Sequence, residues 1–205
     1  MKIFETHAHL DFPEFDPDRE QVIRKSLNAG VEFIINIGID EATSRASIKL
    51  AETYPQIYAA VAFHPHEAKH FNPQVIRTLC HHPQVVAIGE TGLDYFRNHS
   101  PRAVQKQVFR DQVSLACEQG LPLIIHDREA HVDCLQILDE YQPVKVVFHC
   151  FSGDVGFASR IIERNWFISI TGNITYRNQV LEDVVRYLPL DRLFIETDCP
   201  FLTPY

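Results

Sequence analysis

Eight short runs rich in β-branched and aromatic residues recur along the chain, at Lys2–Thr6, Glu32–Gly38, Ile57–Phe63, Val85–Gly89, Leu121–Ile125, Val144–Phe148, Phe167–Thr171 and Arg192–Thr197. Amphipathic stretches with helix start and stop signals separate them. Asp16-Pro17 places an N-capping residue before a proline at the first helical position, and Gly30 closes that stretch. Ser100-Pro101 repeats the device, with Val104, Val108 and Val113 on one face and Gly120 at the end, while Pro55 stops the helix that begins near Glu41. Parallel strands need crossover connections, so this alternation predicts an α/β protein, and eight repeats predict a (β/α)8 TIM barrel. A doubly wound open sheet is the alternative. With 205 residues, short connections and no Gly/Ser-rich linker, a single domain over 1–205 is expected. Only Cys199–Tyr205 follow the eighth run, too few for an eighth helix. The expected barrel therefore lacks its last helix, leaves the outer face at Leu193 and Ile195 uncovered, and reads as C-terminally truncated.

The barrel is preferred because ionisable residues gather where the apolar runs end, which is where barrels of this kind assemble their active sites. His7 and His9 flank Ala8 at the end of the first run, and residues two apart in a strand point to the same side. His64 and His66 follow AAVAF, Glu90 follows VVAIG, His126 follows LPLII, His149 follows VKVVF, and Asp198 follows the eighth run. A buried histidine is costly unless its nitrogens are satisfied, and one such residue is usually a core or surface accident. Coincidence at six strand ends points to a metal site instead.

Imidazoles and carboxylates with no positioned thiolate suit Zn, Mn, Fe or Ni, with Mg possible where carboxylates and water dominate. Cys150 and Cys199 adjoin His149 and Asp198, and strand alternation turns their side chains the other way, into the wall. Six protein ligands (His7, His9, Glu90, His126, His149 and Asp198) exceed what one catalytic ion with an open position needs. Two divalent metal ions divide them naturally, and Glu90, midway around the ring, is the best bridge between them. Such a pair lowers the pKa of a shared water and clamps phosphoryl or carbonyl oxygens.

MKIFETHAHLD, AFHPHEA, AIGETGLDYF, IIHDREA, FHCFSG and FIETDCPFLTP, in that order from Lys2 to Tyr205, together resemble the TatD-like metal-dependent hydrolases, deoxyribonucleases of the amidohydrolase-type barrel superfamily. The resemblance implies that His7, His9, Glu90 and Asp198 hold one ion and that Glu90, His126 and His149 hold the other. It implies that Asp198 takes the proton of the attacking water, so that Glu90 and Asp198 form the catalytic pair, and that His64, His66 and Arg128 contact the scissile phosphate. The planar fork of Arg128 also matches phosphate oxygens on physical grounds. Three departures stand out. Glu5 occupies a position where the family has Asp, one that orients a histidine; Asp127 stands where Ser, Thr or Cys is familiar; and the family continues past the final Thr-Pro into a basic segment and a last helix.

Of the other polar residues, Glu196 is in phase with Asp198 and is expected to support the ligands. Asp94 and Tyr95 either shape the cleft or cap a turn. His70, His81, His82, His99 and His131 fall in helices or loops and are expected to be solvated.

The net charge of −8, with 19 basic against 27 acidic residues, suits a cation-binding site and disfavours a long duplex clamp. The expected partner is accordingly DNA or another phosphodiester, bound weakly without sequence specificity and attacked at ends or in single strands. No apolar run approaches the length of a membrane span, so no membrane partner is expected, and no obligate protein partner is evident. Five widely spaced cysteines without a C-x-x-C pair, and no leader-like start, predict reduced thiols and a cytoplasmic location. Two other classes compete. Hydrolysis of C–N or ester bonds in a small molecule is one, although its binuclear members often bridge with a carboxylated lysine where Glu90 stands. An inactive metal-binding barrel is the other, and retention of all six ligands argues against it.

Overall fold

The computed structural model describes residues 2–205. Eight parallel strands follow one another around one sheet in chain order: β1 (Ile3–Ala8), β2 (Val31–Ile37), β3 (Ile57–Val61), β4 (Val85–Asp94), β5 (Leu123–Arg128), β6 (Val146–Phe148), β7 (Phe167–Ile170) and β8 (Leu193–Ile195). Seven helices alternate with them: α1 (Arg19–Asn28), α2 (Glu41–Thr53), α3 (Pro73–Leu79), α4 (Arg102–Gln119), α5 (His131–Tyr141), α6 (Val155–Ile162) and α7 (Gln179–Tyr187). The chain just beyond β8 closes the ring against β1, with an Ala8–Cys199 bridge. There His9 N–H donates to the Cys199 carbonyl and Asp198 N–H to the His7 carbonyl, both at 2.9 Å. The fold is the TIM barrel that the alternation predicts.

The period of two divides the apolar strand residues between two layers. Ile34, Ala59, Val61, Ile88, Leu123, Ile125, Val146 and Phe148 belong to the large core packed with helix residues. Ile37, Ala60, Ala87 and Ile124, with Ile35 and Val147 against them, form a separate small cluster that fills the barrel interior. At the N-terminal ends of the strands, rings lie against one another: Phe4 on Phe33 at 5.2 Å, Phe33 against Tyr58 at 5.9 Å and Phe167 on Phe194 at 4.9 Å.

Helix-end signals in the sequence hold at several places and fail at two. Asp40 caps α2 through a capping box with Thr43, Tyr54 ends it just before Pro55, and Gly120 takes the left-handed conformation after α4. Asp16-Pro17 does not start α1. It follows a 3₁₀ turn at Pro13–Phe15, and α1 begins only at Arg19, whose guanidinium reaches the Asp16 carboxylate. Ser100 does not cap α4 either, since its hydroxyl donates to the His66 carbonyl at 2.8 Å. β4 runs to Asp94, well past the expected end at Gly89, because it pairs with β5 all the way to Arg128. β8 stops at Ile195, so Asp198 lies beyond the strand. Of the two residues expected to be uncovered there, Ile195 is 58% exposed, whereas Leu193 packs against the main core.

Candidate metal centre

The inward phase of the small interior cluster continues to the C-terminal face. Ile124 is followed two residues later by His126, and Val147 by His149, so both imidazoles point along the barrel axis. Glu90 joins them through an irregularity in β4, whose register with β5 shifts between Ile88 and Thr91. Gly89 permits this, since a Cβ there would lie 2.5 Å from Ile124 Cβ. His7 is the penultimate residue of β1, and His9 lies just past its end. Asp198 arrives from the loop after β8 with a φ of 56°.

These six side chains converge. Glu90 Oε1 lies 2.7 Å from His126 Nδ1 and 2.8 Å from His149 Nε2. Its other oxygen, Oε2, lies 3.4 Å from His7 Nε2 and 3.9 Å from His9 Nε2. Asp198 Oδ1 is 3.6 Å from His7 Nε2 and 3.4 Å from His9 Nε2, and the two imidazole Nε2 atoms are 3.2 Å apart. The rings of His7 and His149 stack at 3.8 Å. Glu90 thus stands between two groups of histidines with one oxygen turned to each.

The proton arrangement at His9 tests whether this cluster suits a cation. Its Nδ1 meets the Ile37 carbonyl at 3.1 Å, and a carbonyl only accepts, so Nδ1 carries the hydrogen. In the neutral ring the Nε2 lone pair then faces His7 Nε2, Glu90 Oε2 and Asp198 Oδ1. Lone pairs and carboxylates converging in a buried site require positive charge among them. The titration directions express the same demand. Burial presses His9 towards its neutral form, but Asp198 and Glu90 outweigh it and raise its pKa. Burial alone would raise Glu90, yet His149, His64 and His126 hold it well below the usual carboxylate range. Burial opposes the charge on His149 as well, and Glu90 and Glu196 drive its pKa well above the ordinary value. His7 Nδ1 is buried without a hydrogen-bond partner. The donor set fits divalent metal. Two groups in particular gather ligand atoms within 4.8 Å of one another, His7–His9–Asp198 and His64–Glu90–His126, with a third at His7–His149–Glu196.

The residues expected to contact phosphate separate. His64 is buried against Glu90 Oε1 at 3.5 Å, its Nδ1 accepting from His66 N–H, and burial beside His126 lowers its pKa to about 4. His66 Nε2 meets Asp94 Oδ2 at 2.9 Å. Arg128 is exposed and stands over the Phe96 ring at 4.0 Å, outside the cluster. Glu5 orients backbone rather than a ring, accepting from His7 N–H at 3.1 Å and Thr197 N–H at 3.0 Å. Glu196 accepts from Cys150 N–H at 2.6 Å and faces His149 Nδ1 at 3.3 Å without hydrogen-bond geometry. Asp127 holds His131, which is half-buried rather than solvated. Cys150 lies in the wall 3.8 Å from Thr171 Oγ1, where burial raises its pKa to about 11.

Three supporting residues carry more of the site than the sequence suggests. Asp94 is fully buried and lies against both His66 and His126 Nε2, the latter at 3.1 Å. Gln105 and Gln112, seven apart on the inner face of α4, clamp strand ends as a backbone would. Gln112 accepts from Phe63 N–H at 2.7 Å and donates to the Phe63 carbonyl at 2.9 Å, immediately before His64. Gln105 does the same for Asp94, at 2.9 and 3.1 Å. The available signal was their spacing with Val108, Phe109 and Val113, a buried face into which polar groups enter only when bonded.

Known proteins resemble the chain along nearly its whole length. The family profile described as "TatD related DNase" matches residues 4–205. A Bacillus subtilis protein described as an uncharacterized metal-dependent hydrolase, YabD, is 42% identical over 99% of this chain and 82% of its own length. A Salmonella typhimurium protein described as the 3'-5' ssDNA/RNA exonuclease TatD is 32% identical over 98% of this chain and 80% of its own. Among solved structures, the Escherichia coli TatD homologue YJJV superposes with a TM-score of 0.93 at 31% identity, covering 99% of this chain and 81% of that one.

Proposed function

The chain belongs to the TatD-related DNase family and is a metal-dependent hydrolase, and from that premise we propose that it is a deoxyribonuclease-type phosphodiesterase that trims single-stranded nucleic acid, or its ends, with two divalent cations. The observation that carries this reading is the division of Glu90 between two histidine groups, Oε2 facing His7 and His9 and Oε1 facing His126 and His149. His7, His9, Glu90 and Asp198 would hold one cation, and Glu90, His126 and His149 the other. Bound there, divalent cations make water acidic enough to attack near neutral pH and draw charge from phosphoryl oxygens.

The chain's own residues supply the rest. Asp198 accepts the proton of the attacking water. It is partly open to solvent, and although burial alone would raise its pKa, His9 and His149 hold it ionised below the usual range. Ile37 fixes the His9 ring, and Asp94 fixes those of His66 and His126, so the ligands need little reorganisation. Arg128, exposed and outside the cluster, carries a planar guanidinium that would meet phosphate oxygens, and His66 would add a further contact. The net charge of −8 matches weak binding without sequence preference, since few phosphates can be neutralised at once. Five unpaired thiols accord with a reducing, cytoplasmic setting.

The test is hydrolysis of end-labelled single-stranded DNA beside a small amide and ester panel. Asp198→Asn should lower the DNA rate by at least about a hundredfold, the scale of a lost general base, with an unchanged circular dichroism spectrum. Normal cleavage by Asp198→Asn would remove that assignment, and turnover of amides alone would remove the nuclease reading.

A further inference from the structure

Phe96 is 52% exposed at the tip of the segment joining β4 to α4. It lies two residues after Asp94, which touches His66 and His126, and the Arg128 guanidinium stands over its ring at 4.0 Å. Tyr95 N–H donates to the Arg128 carbonyl at 2.9 Å, so the ends of β4 and β5 carry this pair as one unit. Arg97 lies 6.0 Å from the same ring, and Arg102 stands over Tyr95 at 4.2 Å. Three guanidiniums therefore gather around two aromatic rings beside the metal cluster, in a chain whose net charge is −8. Other exposed rings after the strand ends are engaged with protein: Phe201 packs edge-on against Phe12 at 6.0 Å and His9 at 6.4 Å, and Tyr176 lies edge-on to Tyr205 at 5.1 Å. An exposed phenylalanine capped by arginine and adjoining a phosphate-handling site has the composition of a stacking platform for a nucleobase.

We propose that Phe96 with Arg128 forms a base-binding subsite, on which a nucleobase next to the scissile phosphate of a single strand stacks. The subsite rests on the nucleic-acid reading given above and adds to it a preference for strands that carry bases over the same backbone without them. Every base offers a π-face, so the subsite confers no sequence preference.

The experiment measures dissociation constants of the metal-loaded full-length protein for a short single-stranded phosphorothioate of thymidine and for the same backbone built of abasic residues. The wild type should bind the base-bearing strand about tenfold more tightly. Phe96→Ala should abolish most of that preference, and Phe96→Trp should keep it. Because the ratio compares two strands on one protein, any shift of Arg128 against phosphate cancels. A Phe96→Ala protein that retains the wild-type ratio, or a wild type with no preference, overturns the subsite while leaving the nuclease reading intact. A wild type that binds neither strand overturns the nucleic-acid reading and the subsite with it.

Discussion

β4 and β5 run beside each other from Val85 to Asp94 and from Leu123 to Arg128, and two glutamines of α4 brace this side, Gln105 at the end of β4 and Gln112 at Phe63 after β3 and Thr91 within β4. On the other side of the barrel β8 has three residues, its Ile195 is exposed, and the ring closes on β1 through one bridge and a few hydrogen bonds. Glu90, His126, His64 and Asp94 come from the first side, while Asp198 hangs from the second in a loop. Glu90, with His64 and His126, thus sits on the sector where glutamine side chains pair the strand-end backbone at Phe63 and Asp94. Asp198, the proposed proton acceptor, sits on the more lightly built sector. Rigid placement is most useful where ligands must converge within a few tenths of an ångström, and a looser support suffices for a group that exchanges a proton with water.

Gln112→Ala should show the larger consequence of this difference. It strips the Phe63 N–H and C=O and the Thr91 hydroxyl of their buried partner. The expected loss is about 3 kcal/mol of unfolding free energy, since buried groups left unsatisfied cost roughly 1–3 kcal/mol each and some relax. Urea denaturation measures it, and a loss below about 1 kcal/mol would mean that the β3–β4 side is no stiffer than its counterpart. Ile195→Ser, on the lightly built side, should cost about 0.5 kcal/mol or less, as exposed substitutions do. A cost comparable with that of Gln112→Ala would erase the contrast.

Much of this architecture can be read from the chain alone, and the parts that cannot share a cause. Strand and helix periods locate the barrel because each run repeats the same simple alternation. The proposed ligands that continue a strand's inward phase, His126 and His149, follow from that alternation as well. Glu90 and Asp198 stand out by type and by following an apolar run, but the directions of their side chains do not follow from the alternation. The first reaches the axis through a register irregularity beside Gly89, and the second through a loop residue at positive φ, neither of which a period of two describes. Gln105 and Gln112 escape for another reason. Their worth lies in partners distant in sequence, and a glutamine on a helix looks solvated until the strand end opposite is known. His131 pairs with Asp127 only four residues earlier, across the β5–α5 turn, a local contact that residue type alone does not show.

Metal-edge anomalous diffraction from crystals grown with manganese tests the shared role of Glu90 most directly. The account predicts two peaks, one among His7, His9 and Asp198 and one beside His126 and His149, with the Glu90 carboxylate between them, and the loss of at least one peak in Glu90→Ala. A single peak that survives that substitution, or none near these side chains, would contradict it.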